Sequence, residues 1–343
     1  MRVTEEGKFN YGIGITGTKE FYTDGKAKNY KFTSSDESVI KIDSNGNFTA
    51  IAEGTAEIRV ALKDDEEKFY SEEITVVRDK IKDSNIYFSN LSDRYQYKAK
   101  AIKPNTVIYY TPDNTQMVKG TDYKISYSNN VEMGVASITI EGLGRFKGKV
   151  TKTFHIVPTT VKNLEIKTQS ESSITLQWSK NAENITAYKV YMFDYSKGVW
   201  EYFGKTKETK LEVTGLSSGT IYKFKVRAYK NVDGIQYFGG FTPYLKATTK
   251  PVTAKITSIT SENGKAVLKW KKISNASGYK IYMSTSENGK YERIRTLSDI
   301  NTVKYSKSLE KGKTYYFKMR AYKTVNGEDV FGAYSDVVKI TIK

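Results

Sequence analysis

The chain has 343 residues, no cysteine, one histidine and a formal net charge of +17. Without cysteine there is no disulfide framework and no thiolate metal site, and a single imidazole has no second histidine to share a zinc ion with. No stretch approaches the roughly 18 apolar residues of a membrane helix, so membrane insertion is not expected.

The opening stretch, MRVTEEGKFNYG, lacks the apolar run of a secretion signal. For an exported protein, the expectation is that signal and anchor lie outside this sequence. Tyrosine is abundant at 27 and proline scarce at 5. Tyr, Val, Ile, Thr and Phe fill the periodic segments, and Asn-Gly, Asp-Gly and Gly-Lys punctuate them. That is the grammar of strands and turns.

Residues 1–79 contain FTSSDESVIKIDSNGNFTAIAEGTAEIRVAL. Val39, Ile40 and Ile42 predict one strand, and Ser44-Asn45-Gly46 a tight turn. Phe48, Ala50 and Ile51 predict the returning strand, and Gly54-Thr55 a second turn. Ala56, Ile58 and Val60 alternate with Glu57 and Arg59, which buries one face. The spacing Ser35/Val39, Asp43/Gly46/Ala50 and Gly54-Thr55-Ala56 resembles the bacterial Ig-like group 2 module.

Residues 80–157 hold three more strand patterns. Tyr123, Ile125 and Tyr127 alternate with polar residues, Asn129-Asn130 opens a turn, and Ala136, Ile138 and Ile140 follow. Gly142, Gly144 and Gly148 flank Phe146 in another turn before Val150, Phe154 and Ile156. This segment is similar to Ig-like repeats of large surface proteins from Gram-positive anaerobes.

The remainder is one unit made twice. AYKVYM at 187–192 returns as GYKIYM at 278–283, and IYKFKVRAYK at 221–230 returns as TYYFKMRAYK at 314–323. A repeat at a fixed short period marks a module. Trp178 closes SITLQW and Trp270 closes KAVLKW. Leu216-x-x-Gly219-x-x-Tyr222 and Leu309-x-x-Gly312-x-x-Tyr315 precede strands in which Phe224/Val226/Ala228 and Phe317/Met319/Ala321 alternate inward beneath a basic outer face. Both segments, 158–250 and 251–343, resemble fibronectin type III modules. The resemblance implies that Trp178 and Trp270 are core residues, and that the hydroxyls of Tyr222 and Tyr315 tie back to the chain as tyrosine corners. Pro158 and Pro251 mark short linkers.

Charge is graded along the chain. Residues 1–79 carry a net −5, 80–157 and 158–250 each +6, and 251–343 +10. The gradient points to contact with a polyanion near the C-terminal end, against the simpler reading of solvated lysines on outer sheet faces.

Catalytic candidates fail on spacing. His155 lies between Phe154 and Ile156 on a strand, facing outward. GLGRFKGKV (142–150) echoes a phosphate loop, but five residues separate Gly142 from Gly148, and Val150 follows Lys149 where Ser or Thr is required. Asp43-x-Asn45-Gly46 hints at a calcium loop, yet Gly54 occupies the position where a bidentate Glu would sit. Asp64-Asp65-Glu66-Glu67 reads as an acidic hairpin tip, and no carboxylate pair is nominated for hydrolysis. No cofactor, metal or catalytic residue is expected.

Candidate ligand-contact aromatics are Tyr191 and Phe193, on the strand face opposite Tyr188, Val190 and Met192, together with Trp200. Tyr237 and Phe238 in one late loop and Phe331 in its repeat complete the set. Flat rings on an outer face can stack on sugars or bases, against the simpler reading that Trp200 and its equivalent Tyr291 are core rim and that Tyr191 and Tyr282 pack against neighbouring strands.

The fold expected is all-β: four tandem antiparallel Ig-like/fibronectin type III β-sandwiches, at 1–79, 80–157, 158–250 and 251–343. The resemblances imply a non-enzymatic, monomeric array at a bacterial cell surface or secreted outside the cell, acting in adhesion, display or spacing. Its partner would be a host or cell-surface protein or glycan, or a cell-wall polyanion. Nucleic acid is disfavoured because no groove-reading element is visible. The alternative is the accessory carbohydrate- or polyanion-binding region of a larger secreted enzyme.

Overall fold

A computed structural model describes residues 2–3, 9–12, 14, 16–18, 27–181 and 184–343. Half of the opening stretch MRVTEEGKFNYG lies outside them. Among the described residues the regular structure is β-strand, with two single-turn 3-10 segments. Among the described residues no helix is long and apolar enough to cross a membrane. The chain divides into two compact units, 1–156 and 157–343.

In the first unit a five-stranded sheet runs Arg2–Val3, Phe9–Gly12, Asp65–Val77, Gly54–Leu62 and Tyr30–Ser34. A three-stranded sheet of Thr16–Thr18, Asn47–Ala50 and Ile40–Ile42 completes this part. Ile40, Phe48, Ile58 and Ile74 are buried in the core. Two expectations change here. Gly54-Thr55 opens a nine-residue strand rather than forming a turn. Gly54 is required by packing: a Cβ there would lie 2.9 Å from Val39 Cγ2. Pairing is also not purely antiparallel, since Phe9–Gly12 runs parallel to Ile74–Val77.

The rest of this unit has a sheet of Arg94–Gln96, Lys149–Val157, Gly134–Gly142 and Tyr123–Ser128. Ile138, Ile140 and Phe154 point inward and are fully buried. On the outer face Thr139 and Thr151 hydroxyls meet at 2.8 Å. Apolar-in and threonine-out is what alternation dictates for a strand wet on one side.

The second unit contains two cores built alike. One joins Ile174, Leu176, Trp178, Tyr188, Val190 and Phe224. The other joins Leu268, Trp270, Tyr279, Ile281, Phe317 and Met319. Over the first core lie the sheets Glu165–Gln169/Ile174–Gln177/Lys210–Val213 and Val199–Thr206/Ala187–Asp194/Ile221–Val232/Ile235–Phe238, with Leu245–Thr248 also on Ile221–Val232. The second core has the same order: Ile256–Glu262/Lys265–Trp270/Lys304–Ser308, and Glu292–Leu297/Gly278–Ser284/Thr314–Val325/Glu328–Phe331 with Val338–Thr341. The late hairpins turn on Asp233-Gly234 and Asn326-Gly327, all four with positive φ. Those two-residue turns match the twist of the flanking strands.

Candidate functional site

The outer face of the 187–238 sheet follows from period-two alternation. Phe224, Val226 and Ala228 are wholly buried. The residues between them, Lys223, Lys225 and Arg227, must therefore point outward. On the neighbouring strand Tyr188 and Val190 are buried, so Lys189, Tyr191 and Phe193 share the outer face. Register sets Tyr191 opposite Lys225, and Tyr191 opposite Tyr202 and Phe193 opposite Trp200 on the other side.

Rings and cations interleave. Lys225 Nζ lies 3.8 Å from the Phe241 ring centroid and 4.4 Å from that of Trp200. The Arg227 guanidinium lies 3.9 Å from Phe238, 4.5 Å from Phe241 and 5.1 Å from Tyr191, and donates to the Tyr191 hydroxyl at 2.7 Å. Lys189 reaches Phe238 at 4.9 Å. Each contact of this kind is worth about 0.5–1 kcal/mol when exposed and more when shielded. Burial, with the Arg227 charge beside it, holds the Lys225 amine below its ordinary range.

The 278–331 sheet repeats the ladder. Lys318 lies 4.2 Å from Tyr291 and 4.4 Å from Tyr334. Arg320 lies 3.7 Å from Phe331 and 4.7 Å from Tyr334. Lys280 lies 4.6 Å from Phe331 and pairs with Asp329 at 2.8 Å. Burial raises the Asp329 carboxyl, but hydrogen bonds from Lys280 and Thr324 outweigh it and leave the group below the usual range. The pair's contribution is therefore complete above about pH 3.9, the unfolded carboxyl value, and fades as pH falls through the lower folded value. Asp329→Asn would leave the Lys280 ammonium, only 10% exposed, without its partner, and should lose about 3 kcal/mol at pH 7. Urea melts at pH 7 and at successively lower pH check this: the difference from the parent should shrink as the carboxyl protonates.

The candidate aromatics occupy different places. Tyr191, Phe193 and Trp200 are half-buried within the ladder, as are Phe238 and Phe331. Tyr237 does not present itself to solvent: it is 8% exposed. Its segment is a paired strand rather than an open loop, so alternation sends Phe238 outward and Tyr237 to the other face. Trp178 and Trp270 are buried, edge-on to Tyr188 and Tyr279 with centroids at 5.3 and 5.5 Å. The Tyr222 hydroxyl accepts from the Ser217 N–H at 2.8 Å, and Tyr315 is buried at the matching position. Phe241, Tyr244 and the cation triplet went unnamed as site residues. The K-x-K-x-R spacing opposite Tyr-x-Phe was the signal that could have found them.

The remaining candidates are structural. His155 lies on the exposed side of its strand. Gly142–Gly148 forms a turn between strands, and Arg145 pairs there with Asp79 and Asp113. Asp43 accepts N–H groups from Asn45 and Asn47 at 2.9 Å each, closing its own turn. Glu66 and Asp65 pair with Lys31 and Lys68. Among the described residues no three His, Cys, Asp or Glu side chains gather as a metal group would require.

Two curated proteins and two solved structures resemble parts of the chain. An alpha-amylase of Niallia circulans is 30% identical over 174 residues, 48% of this chain and 12% of the amylase. A titin homolog of Caenorhabditis elegans is 26% identical over 258 residues, 65% of this chain and 1% of its own length. The chain thus spans a small fraction of either relative. Among solved structures, a two fibronectin type III domain segment of chicken tenascin is 17% identical. It covers 53% of this chain and 98% of itself, at a TM-score of 0.36. The FN1–FN3 domains of chicken CNTN1 are 13% identical over 76% of this chain and 98% of their own, at 0.32. The family model of the fibronectin type III domain matches residues 158–236. That part of the chain, which carries Tyr191, Trp200, Lys223, Lys225 and Arg227 of the first ladder, is a fibronectin type III domain.

Proposed function

We propose that the chain is a non-catalytic array of four β-sandwich modules, with boundaries at 79/80, 157/158 and 250/251. It belongs outside a bacterial cell, on a surface or secreted protein, and works in adhesion, display or spacing. The first module is taken as bacterial Ig-like group 2, the second as Ig-like, and the last as a second fibronectin type III module.

The observation that carries this reading is how the sheets on either side of a linker are held within each unit. Around 250/251, the Thr253 N–H donates to Glu171 at 3.1 Å. Asn326 Nδ2 reaches Lys246 O at 3.2 Å. Around 79/80, Arg78 Nε donates to Gly144 O at 2.9 Å and Nη2 to Phe146 O, while Lys147 pairs with Glu53. Side chains spent on neighbouring backbone fix an angle, which a spacer needs and a catalytic cleft does not.

Spin labels at Glu212→Cys and Lys269→Cys, the only thiols in the chain, test this. A single narrow distance is expected, and Asn326→Ala with Glu171→Ala should broaden it. A broad distribution in the parent, or hydrolysis of any offered substrate, would overturn the reading.

A second reading, an accessory carbohydrate- or wall-polyanion-binding region of a larger secreted enzyme, draws support from the solvent-facing rings of Tyr195, Tyr202 and Tyr244, each more than half exposed.

A further inference from the structure

The two ladders differ at one end, and the difference is informative. Lys223 Nζ stands among three rings, 5.2 Å from Phe193, 5.3 Å from Tyr195 and 5.2 Å from Tyr244. Trp200 joins them, 5.3 Å from Phe193 and 6.4 Å from Tyr244. At the repeat positions the second copy has Tyr316 for Lys223, Ser284 for Phe193, Ser286 for Tyr195 and Val337 for Tyr244. That copy folds into the same sheet order without the cluster. The fold therefore does not demand it.

Charge differs in the same direction. Lys280 of the second copy is paired with Asp329. Its counterpart Lys189 meets the neutral Gln236 instead, at 2.8 Å. Lys189, Lys223, Lys225 and Arg227 thus share one face with no carboxylate in ion-pair reach among the described residues. Tyr195 and Tyr244 are 55% and 58% exposed, so rings beside these cations are open to a ligand. Uncompensated cations call for an anion, and flat rings beside them for a partner with apolar C–H faces.

We propose that Tyr195, Trp200, Tyr244 and Lys223 form a binding site for an anionic polysaccharide whose sugar rings carry carboxylates. Pyranose faces lie on Tyr195 and Tyr244, and the carboxylate one ring along meets Lys223, with Lys225 behind it. The site rests on the reading of the chain as an array that displays binding surfaces. It does not depend on the linker angle, which the spin-label distances test separately.

The chain reports on this site by itself. Of its three tryptophans, Trp178 and Trp270 are buried, so a ligand-dependent change in emission comes from Trp200. The full chain would be titrated with oligogalacturonate, neutral malto- and cello-oligosaccharides, poly-glutamate and oligo-dT. Oligogalacturonate should shift Trp200 emission, and raising salt from about 50 to 200 mM should weaken it several-fold. Tyr244→Ala and Lys223→Gln should each weaken binding about tenfold, with an unchanged urea midpoint. Val337→Ala, at the matching place in the second copy, should leave binding as it was. Tyr195→Ala gives a second reading should Tyr244→Ala fold poorly. No response to oligogalacturonate, equal binding of the neutral sugars, poly-glutamate or oligo-dT, or indifference to all three site variants would overturn the proposal.

Discussion

Trp270→Ala should cost about 3–5 kcal/mol, as large-to-small changes at buried aromatic positions do. The indole sits 4% exposed between two sheets and edge-on to Tyr279. Its loss leaves a cavity lined by Leu268, Ile281, Phe317 and Met319, members of the same core. Small domains are stable by about 5–15 kcal/mol, so the 251–343 core would be left near its threshold. The Trp270 Nε1 has no hydrogen-bond partner among the described residues. Trp270→Phe should therefore forfeit packing volume alone and cost much less, under about 2 kcal/mol. Urea unfolding followed by circular dichroism separates the two variants. Because Trp178 belongs to a different cluster, Trp178→Ala should lower a separate transition, with additive losses in the double variant. A loss below about 1.5 kcal/mol for Trp270→Ala would mean that the two sheets close over the gap.

The cores were legible in the sequence because two signals agreed there. Alternation assigned Phe224, Val226 and Ala228 inward, and the repeat assigned Phe317, Met319 and Ala321 the same role; all six are fully buried. Where only one signal was present, the reading was weaker. Gly54-Thr55 has turn composition, but Gly54 answers a contact with Val39 fifteen residues earlier, and composition does not encode that contact. Tyr237 shows the same limit. A ring in a segment read as loop suggests exposure, until pairing with Ile221–Val232 makes the segment a strand and alternation turns the ring away.

The candidate site was half legible for a related reason. Tyr191 and Phe193 were found through their face of one strand, and Trp200 because it follows them closely in sequence. Phe241 and Tyr244 come from the irregular stretch after Phe238, where no period exists to read. They reach the ladder because the Gly239 N–H donates to Ala228 O and the Thr242 N–H to Val226 O, which lays that stretch along the central strand. The cations were visible as a basic outer face, but their rings come from several other segments, so the pairing itself needed the fold.

Gly278→Ala should be nearly as damaging as the tryptophan change, by the opposite route. A Cβ on Gly278 would lie 2.0 Å from Leu297 O and 2.8 Å from the Tyr322 hydroxyl. The first of these is backbone, so no rotamer change relieves it. Gly278 begins the strand Gly278–Ser284, flanked by Glu292–Leu297 and Thr314–Val325. Relief requires opening the sheet on the Leu297 side, where Tyr279 pairs with Leu297, at roughly 3 kcal/mol or more. The first copy supplies the control. Ala187 holds the same position there and is 5% exposed, so that strand pair accommodates the methyl group, and Ala187→Gly should cost only about 1 kcal/mol. The two reciprocal changes thus destabilise unequally, although each converts one copy's residue into the other's. Calorimetry should show the transition of the 251–343 core lowered by about 12 °C or more for Gly278→Ala. The Trp200 response to oligogalacturonate should persist, since that site stands on the other core. A shift of under about 2 °C would show that the strand edge at Leu297 yields freely, and that Gly278 does not hold the two strands at their close spacing.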